Sequence, residues 1–297
     1  MTCHTLYRSP ALEITSCVGD ASQRQAKPMH FSSFEVHFQD DGAYTLHEPG
    51  RAMLIDVHHV EVRHAGTTRT YSRPVVSADR GTSIRFSSAV AEALRPRDRD
   101  TAVEFPSGVV RLGPRGFAAL RALRRAIEEC SACGAMEVER RAVALLGDVV
   151  RAAPRRPTVP DDPRRPTTSI RHRDAVEQAK AFLAERFHER PTLRAAARVV
   201  DYAPHHFERI FRAHTGLSVH RYLTELRLRQ AAVRLDEGAE NLSSLALDLG
   251  FSSHSHFTTA FLARFGCPPG VYRSRRSFSR DHADHWPSRI SHRAPPP

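Results

Sequence analysis

The stretch Leu242–Arg273, LSSLALDLGFSSHSHFTTAFLARFGCPPGVYR, decides the fold of the C-terminal half of the chain. Apolar residues recur at helical spacing over Leu242–Leu249 and again over Ser253–Phe265. Gly250 and Gly266 interrupt the pattern after each run. The stretch therefore predicts two short helices that are joined by a tight turn.

The same pattern occurs once before in the chain. The first set of residues corresponds at an offset of 49: Leu193, Ala197, Val200 and Tyr202 match Leu242, Ala246, Leu249 and Phe251. The second set corresponds at an offset of 50: Phe207, Phe211, Gly216 and Tyr222 match Phe257, Phe261, Gly266 and Tyr272. One extra residue therefore precedes the second helix of the second copy. Short helices at this spacing predict a helix-turn-helix in each copy.

Helical geometry sorts the residues of the second helix in each copy into two faces. The inward face carries Phe207, Ile210 and Phe211, and in the second copy Phe257, Phe261 and Phe265. The outward face carries His205, Glu208, Arg209 and Arg212, and in the second copy His254, Ser255, Thr258 and Thr259. Outward polar residues are often only a solvated face, but two matched copies in one basic domain favour a recognition surface.

Residues typical of one protein family occur in both copies. In the second copy they are Leu245–Phe251, Phe257, Phe261, Phe265-Gly266, Pro269 and Tyr272-Arg273. In the first copy they are Phe207, Phe211, Gly216, Tyr222 and Arg227. With them, residues 172–276 resemble the DNA-binding domain of the AraC/XylS family of bacterial transcription regulators. The family implies two helix-turn-helix units joined by a long helix, here His220–Asp236. It also implies that two recognition helices enter successive major grooves on one face of the DNA.

By this resemblance, the base-reading positions are His205, Glu208 and Arg209 in the first unit and His254, Ser255 and Thr259 in the second. Arg209 can fork onto O6 and N7 of guanine, and Glu208 can accept from N4 of cytosine. Thr258 and Thr259 can contact a thymine methyl group. Arg212 and Arg221 are interpreted as phosphate contacts that set the register of the protein on DNA.

Three residues depart from the family pattern. Asp201 stands where the first turn usually has Gly, and Asp tolerates this position by adopting the left-handed conformation. Pro268 replaces the usual capping Thr before Pro269, which removes a side-chain cap. Thr259 stands where a basic residue is common, so we expect the second unit to contribute less base-specific binding energy.

The net charge of +11 is distributed unevenly along the 297 residues. Residues 1–150 hold 19 basic and 18 acidic residues, whereas residues 171–297 hold 20 and 13. A basic C-terminal module favours a polyanionic partner, with nucleic acid as the first candidate. The excess of Arg over Lys is also typical of GC-rich coding and carries little weight.

Proline at every third position from 154 to 166 indicates a linker over Ala153–Ser169. Each ring fixes φ, so the segment is expected to be an extended, polyproline-like spacer. It separates a front domain, residues 1–152, from the DNA-binding domain, residues 170–276. We expect residues 277–297 to be a disordered tail because they are rich in Arg, His, Ser and Pro.

Ahead of the linker, the pattern changes from strands to helices. Residues 20–112 are β-rich, with short runs at Phe31–Phe38, Ala52–Val57, Val60–Val62 and Ser83–Phe86. Residues 114–152 predict two amphipathic helices. The expected fold class is α+β in two domains: an antiparallel β domain (cupin-like barrel or sandwich) with a helix pair, then an all-α double helix-turn-helix domain. The segment from Pro74 through Asp79–Thr82 to Phe86 is also similar to the family's regulatory domains.

A metal-dependent cupin enzyme with an accessory DNA-binding tail is one alternative. Its candidate ligands are His58, His59 and His64, but adjacent strand residues point to opposite faces, so the first two are not expected to share a metal. Cys130 and Cys133 suggest a redox or metal pair, yet no second pair accompanies them. No GxSxG, phosphate-loop or HExxH motif occurs, so we assign no catalytic residue, metal site or cofactor.

The cysteines and the N-terminal residues indicate the cellular location. Five cysteines, an odd number, argue against a disulfide framework and favour a reducing cytoplasm. The start MTCHTLYRSP lacks the pattern of a secretory signal, and no apolar run approaches the roughly 18–20 residues that span a bilayer. We expect a cytoplasmic, bacterial protein that is nucleoid-associated when bound and has no membrane partner.

Together these patterns predict a sequence-specific, DNA-binding transcription regulator that is not an enzyme. We expect duplex DNA and RNA polymerase as partners, a homodimer formed through residues 114–152, and a small-molecule effector as a further candidate. Activation and repression are both open. A second alternative is an architectural or ligand-sequestering protein that binds DNA without sequence preference.

Overall fold

The computed structural model describes residues 2–19, 25–73, 79–93, 108–128, 134–153, 166–238 and 241–274. In these ranges, antiparallel strands occupy the front part of the chain and helices occupy the part from residue 166 onward. The predicted α+β class is therefore confirmed. Pro74, Cys130, Cys133, most of the proline-rich linker and residues 277–297 lie outside the described residues.

Two antiparallel sheets form the front domain. The strands are β1 (Thr2–Arg8), β2 (Leu12–Val18), β3 (Lys27–His30), β4 (Glu35–Asp41), β5 (Tyr44–Glu48), β6 (Arg51–Ile55), β7 (His59–Arg63), β8 (Thr68–Ser72), β9 (Arg80–Phe86) and β10 (Gly108–Arg111). The six-stranded sheet has the order β1-β2-β9-β4-β7-β10, and the four-stranded sheet has the order β3-β8-β5-β6. The turn between β6 and β7 thus links the two sheets.

The sequence predicted four of these strands and missed the others. The strands β4, β6, β7 and β9 overlap the predicted runs, although Phe31–Phe34 lies in a loop. The start of the β-rich region at residue 20 was wrong, since β1 and β2 precede it. Missed strands such as β8 (TRTYS) are short and polar, so their pairing with neighbouring strands defines them more than an apolar pattern does.

Helices follow the strands within the front domain. They are α1 (Ser88–Ala93), which the sequence did not predict, and the predicted pair α2 (Pro114–Glu128) and α3 (Ala135–Ala152). One face of α2 buries Phe117, Leu120 and Leu123 against the six-stranded sheet and α3. The pair therefore packs back on the sheet, in the same apolar cluster as Val36 and Ile84.

The C-terminal half is helical throughout its described residues. Its helices are α4 (Pro166–Arg186), a 3-10 turn (Phe187–Glu189), α5 (Leu193–Val199), α6 (Pro204–Thr215), α7 (Val219–Asp236), α8 (Leu242–Asp248), α9 (His254–Phe265) and α10, residues 269–274. Side chains of Thr192, Ser218, Asn241 and Ser253 accept hydrogen bonds from main-chain N–H groups of the first turns that follow them. These caps satisfy donors that a helix leaves unpaired.

The first C-terminal helix begins earlier than the sequence predicted. Helix α4 starts at Pro166 rather than near Arg173, so residues 166–169 are helical instead of extended. Proline is tolerated in the first helical turn because its missing N–H would have no helical partner there. The last of the periodic prolines, Pro166, therefore begins a helix and does not belong to the predicted linker.

Two apolar cores hold the C-terminal half, and the front domain contributes to both. The larger core joins the six-stranded sheet and α2 to Leu245, Phe257 and Phe261 of the second helical unit. The other core surrounds Phe207 and Phe211 of the first unit and includes Val57 from the β6–β7 turn. The front domain is thus packed against both halves of the repeat.

A disulfide joins Cys3 and Cys17 across the antiparallel pair of β1 and β2. The small and odd number of cysteines, which argued against a disulfide framework, therefore did not predict this bond. The register of the strands places the two residues directly opposite each other, which an odd cysteine count does not indicate. Cys267 is free and buried.

Within the described ranges, no helix combines the length and the apolar character that crossing a bilayer requires.

Candidate nucleic-acid interface

The two predicted helix-turn-helix units have matched helices and matched backbone conformations. Helices α5 and α8 are offset by 49 residues, and α6 and α9 are offset by 50. Gly216 and Gly266 end α6 and α9 in the left-handed region, with φ of 69° and 73°. In the turns, Asp201 has a φ of 56° where Gly250 has 82°. Asp201 therefore adopts the left-handed conformation that the sequence predicted for it.

The inward faces of α6 and α9 are built from aromatic rings that pack at an angle to each other. Phe207 and Phe211 are fully buried, and their ring centroids lie 5.7 Å apart. Phe257 and Phe261 are equally buried, with centroids 5.5 Å apart. Burying each large aromatic side chain contributes about 1.5–3 kcal/mol, so these pairs fix which face of each helix remains outside.

The predicted recognition residues of the first unit differ in how far their side chains are exposed. His205, Arg209 and Arg212 are exposed along α6. Glu208 is only half-exposed, and its Oε2 accepts a hydrogen bond from the main-chain N–H of Val219, at 3.3 Å. Glu208 therefore helps to cap α7, a role that competes with contacts to a base.

In the second unit, His254, Ser255 and Thr259 are exposed along α9. Thr258 is half-buried, and its hydroxyl lies 3.5 Å from Nε2 of His254. Arg221, near the start of α7, is also exposed. Apart from Arg221, the predicted residues thus lie on the two matched helices, where Glu208 and Thr258 are only partly exposed.

Comparison with known proteins finds a helix-turn-helix domain in the same part of the chain. Residues 196–275 match a family model described as a helix-turn-helix domain. An uncharacterized HTH-type transcriptional regulator of Bacillus subtilis, YobQ, is 34% identical over 94 residues, which are 32% of this chain and 39% of YobQ. Residues 196–275 form a helix-turn-helix domain similar to that of HTH-type transcriptional regulators.

A second relative and one solved structure are similar to the same region. The HTH-type transcriptional regulator GlxA of Rhizobium meliloti is 39% identical over 88 residues, which are 29% of this chain and 27% of GlxA. A crystal structure of a Chromobacterium violaceum transcriptional regulator with an AraC-type DNA-binding domain has a TM-score of 0.33 and 25% identity, covering 35% of this chain and 93% of that one. The chain spans about a quarter to two-fifths of the length of the two relatives.

The helix-turn-helix domain also has a matched pair of exposed histidines that the sequence pattern had not indicated. His206 and His256 are equivalent at the offset of 50, and both are exposed in the first turn of their helices. The imidazole of His206 lies edge-on to Tyr202, and that of His256 lies edge-on to Phe251, with centroids 5.5 Å apart in both cases. Applying the repeat offset to every polar residue would have found this pair.

His58 and His59, the candidate metal ligands, instead bind a carboxylate. They lie at the β6–β7 turn and the start of β7, so the alternation argument used to separate them was wrong. Both Nδ1 atoms lie within hydrogen-bond distance of Oδ1 of Asp56, at 3.2 Å and 2.7 Å. Although burial would raise it, the two imidazoles hold the pKa of Asp56 well below its ordinary value.

The same turn offers no metal site. Among the residues that the structure describes, no group of three His, Cys, Asp or Glu side chains could hold a metal ion. Burial, opposed by Asp56, lowers the pKa of His58 to about 4, so its imidazole is neutral at pH 7. The turn is a contact between domains, because the ring of Tyr222 in α7 stacks on His58 with centroids 4.4 Å apart.

Proposed function

We propose that the chain is a sequence-specific DNA-binding transcription regulator, and that it is not an enzyme. The observation that carries this proposal is the duplicated unit, in which α6 and α9 bury matched aromatic faces and present matched polar faces outward. A helix-turn-helix places its second helix in the major groove, where side chains reach the edges of the bases.

Two sets of contacts are proposed for DNA. Arg209 is the main base-reading residue, because it is exposed and its guanidinium can bind guanine with two hydrogen bonds. His205, His254, Ser255 and Thr259 complete the base-reading set, and Glu208 and Thr258 are its weaker members. Arg212 and Arg221 contact phosphates, together with His206 and His256 in the first helical turns. The phosphate contacts supply salt-dependent affinity, and the bases supply the choice of site.

A cleft of about 190 Å³ in the front domain is the proposed effector site. It is lined by Glu35, His37, Arg63, Ser83 and Arg85 and by the Cys3–Cys17 disulfide. Arg63 is buried and donates to Glu35 and Glu61, while its Nε has no hydrogen-bond partner among the residues that the structure describes. An unpaired buried donor at the cleft favours a small ligand that carries a hydrogen-bond acceptor.

The remaining parts of the proposal concern partners and location. We place the protein in the bacterial cytoplasm, where duplex DNA and RNA polymerase are present. A homodimer through α2 and α3 remains proposed, and exposed residues such as Met136 and Arg140 lie on the free face of α3. The end of the front domain at residue 152 also remains a proposal, whereas the second domain does not begin at residue 170, since α4 already begins at Pro166.

Binding-site selection from a library of random duplexes tests the proposed function. The full-length protein is expected to enrich one motif, with two half-sites about one helical turn apart. The R209A variant is the comparison, since it should enrich a motif that is degenerate at one position. Recovery of duplexes without any shared motif would exclude the proposal and leave the non-specific DNA-binding alternative.

A further inference from the structure

One segment of the front domain reaches the C-terminal ends of both recognition helices. Arg111, the last residue of β10, donates from its guanidinium to the main-chain oxygen of Thr215, the last residue of α6. A few residues further, Phe117 of α2 packs against Phe265, the last residue of α9, with ring centroids 6.1 Å apart. Thr215 and Phe265 are equivalent positions of the repeat, so residues 108–128 contact both units at the same place.

The tyrosines of the repeat face the front domain in the same way. Tyr222 donates its hydroxyl to Asp56 in the β6–β7 turn. Tyr272, its equivalent in the second unit, lies under the guanidinium of Arg125 in α2, which is 4.2 Å from the ring centroid. The same position in each unit is therefore held by a polar side chain of the front domain.

The helix that joins the two units is held at its middle and at its end. Arg229 of α7 is 1% exposed and donates to the main-chain oxygens of Val57 and Leu112, the latter at 2.6 Å. Asp236, the last residue of α7, accepts from Nε of Arg121 at 2.6 Å and from Nη2 of Arg125 at 2.8 Å. The hydrogen bond to Leu112 and the ion pairs of Asp236 tie α7 to residues 108–128, which touch both recognition helices.

Helix α9 packs on α2 as well as on α7, so the place of the second unit depends on the front domain. We propose that Arg111 and Arg125 are positioning residues that fix the separation of α6 and α9 and thereby select the distance between two DNA half-sites. The proposal rests on the proposed function only where DNA is involved. Since β10 pairs with β7, a change in the sheet would reach both recognition helices through residues 108–128.

The first test measures the preference for half-site spacing. It compares the wild type, the R111A/R125A double variant and R115A, a control at an exposed residue of α2. The probes are the duplex enriched by the wild type and derivatives with one or two base pairs inserted between the half-sites, each adding about 3.4 Å. A duplex with one intact half-site reports the binding of a single unit.

For the wild type and R115A, we expect the insertions to weaken binding about tenfold or more, within the usual range of coupling between sites. For the double variant, we expect a loss of less than about threefold, with an unchanged affinity for the single half-site. An equal spacing penalty in the wild type and the double variant would overturn the proposal. A residue that only stabilises the fold would weaken binding to every probe alike.

The second test needs no DNA, so it separates this proposal from the proposed function. Spin-labelled non-canonical amino acids replace Ala213 and Ala263, two exposed and equivalent residues of α6 and α9. Pulsed electron paramagnetic resonance then measures the distance between the labels. We expect one narrow distribution for the wild type and R115A, and a broader one, or a shift of about 2 Å or more, for the double variant.

An unchanged distance distribution in the double variant would show that α7 alone positions the recognition helices, which overturns the proposal. Thermal unfolding of each variant first establishes that it folds. If the double variant does not fold, the R111A variant carries both measurements, because Arg111 is exposed and lies outside the apolar cores. The expected changes are then the same in direction and smaller.

Discussion

Tyr222, in the helix that joins the two recognition units, donates its hydroxyl to Asp56 in the front domain. Both side chains are buried, and the ring of His58 covers the tyrosine ring. His58 and His59 also bind the same carboxylate. One buried carboxylate therefore joins the β6–β7 turn to α7, which makes the junction between the domains specific rather than merely apolar.

Replacing Tyr222 by Phe should destabilise this junction. The change keeps the ring and removes the donor, so one oxygen of a buried carboxylate loses its partner. We expect the free energy of unfolding to fall by about 1–3 kcal/mol, as measured by urea denaturation at pH 7. The Y202F variant is the control, because Tyr202 is half-exposed in the turn between α5 and α6. Equal effects of the two changes would contradict the role of the Tyr222 hydroxyl.

Acidification should destabilise the protein through its buried histidines. Burial lowers the pKa of His58 to about 4 and that of His37 to about 3. The unfolded chain binds these protons near pH 6.5, so it holds more protons than the folded chain between pH 6.5 and pH 4. Stability therefore falls as the pH falls through this window, by about 1–2 kcal/mol for His58 alone between pH 7 and pH 5.

The H58Q variant tests this account of the pH dependence. Asp56, His59, Arg229 and the ring of Tyr222 surround the imidazole, and none of these groups is altered. We expect the difference in unfolding free energy between pH 7 and pH 5 to shrink relative to the wild type. The H30Q variant, at an exposed histidine, should keep the full difference. An unchanged pH dependence in H58Q would show that His58 does not carry it.

The left-handed turn residues should respond in opposite directions to substitution. Asp201 has a φ of 56°, and changing it to Gly removes the steric cost of a Cβ atom there, so we expect D201G to stabilise the domain by about 1 kcal/mol. Gly250 occupies the equivalent turn, where a Cβ atom would lie 2.8 Å from the main-chain oxygen of His188. G250A should therefore destabilise by more than about 1 kcal/mol, and thermal unfolding compares the two. Stabilisation by G250A would contradict the assignment.

Arg209 and Arg212 should differ in what they contribute to DNA binding. Both are exposed on α6, but only Arg209 is assigned to a base. R209A is expected to lose about 1–3 kcal/mol at the selected site and to relax the choice of one base pair. R212A should weaken binding to selected and random duplexes alike. Fluorescence anisotropy at matched salt measures both, and equal loss on both duplexes for R209A would make it a phosphate contact.

The helical half of the fold was predictable because its signals are local. Repeated Phe residues at helical spacing and Gly residues at the ends place α5 to α9 within a residue or two of their observed bounds. The turn conformation of Asp201 followed from the family pattern, which usually has Gly at this position of the first turn. The sequence placed Glu208 outward with Arg209, but its hydrogen bond to the Val219 N–H depends on how α6 meets α7.

The front domain was less predictable because its order depends on partners distant in sequence. Strands such as β5 and β8 are defined by pairing with each other, and the Cys3–Cys17 bond follows from the register of β1 and β2. The contacts of Asp56 and Arg229 join residues more than 160 positions apart. A single sequence carries no local signal for such contacts.

We infer that two recognition helices of one chain read one DNA face. Hydroxyl-radical footprinting of the full-length protein on its selected duplex is the decisive experiment. We expect two protected segments about one helical turn apart on the same face, with the R209A variant losing protection over one of them. A single protected segment, or uniform protection along the duplex, would contradict the claim.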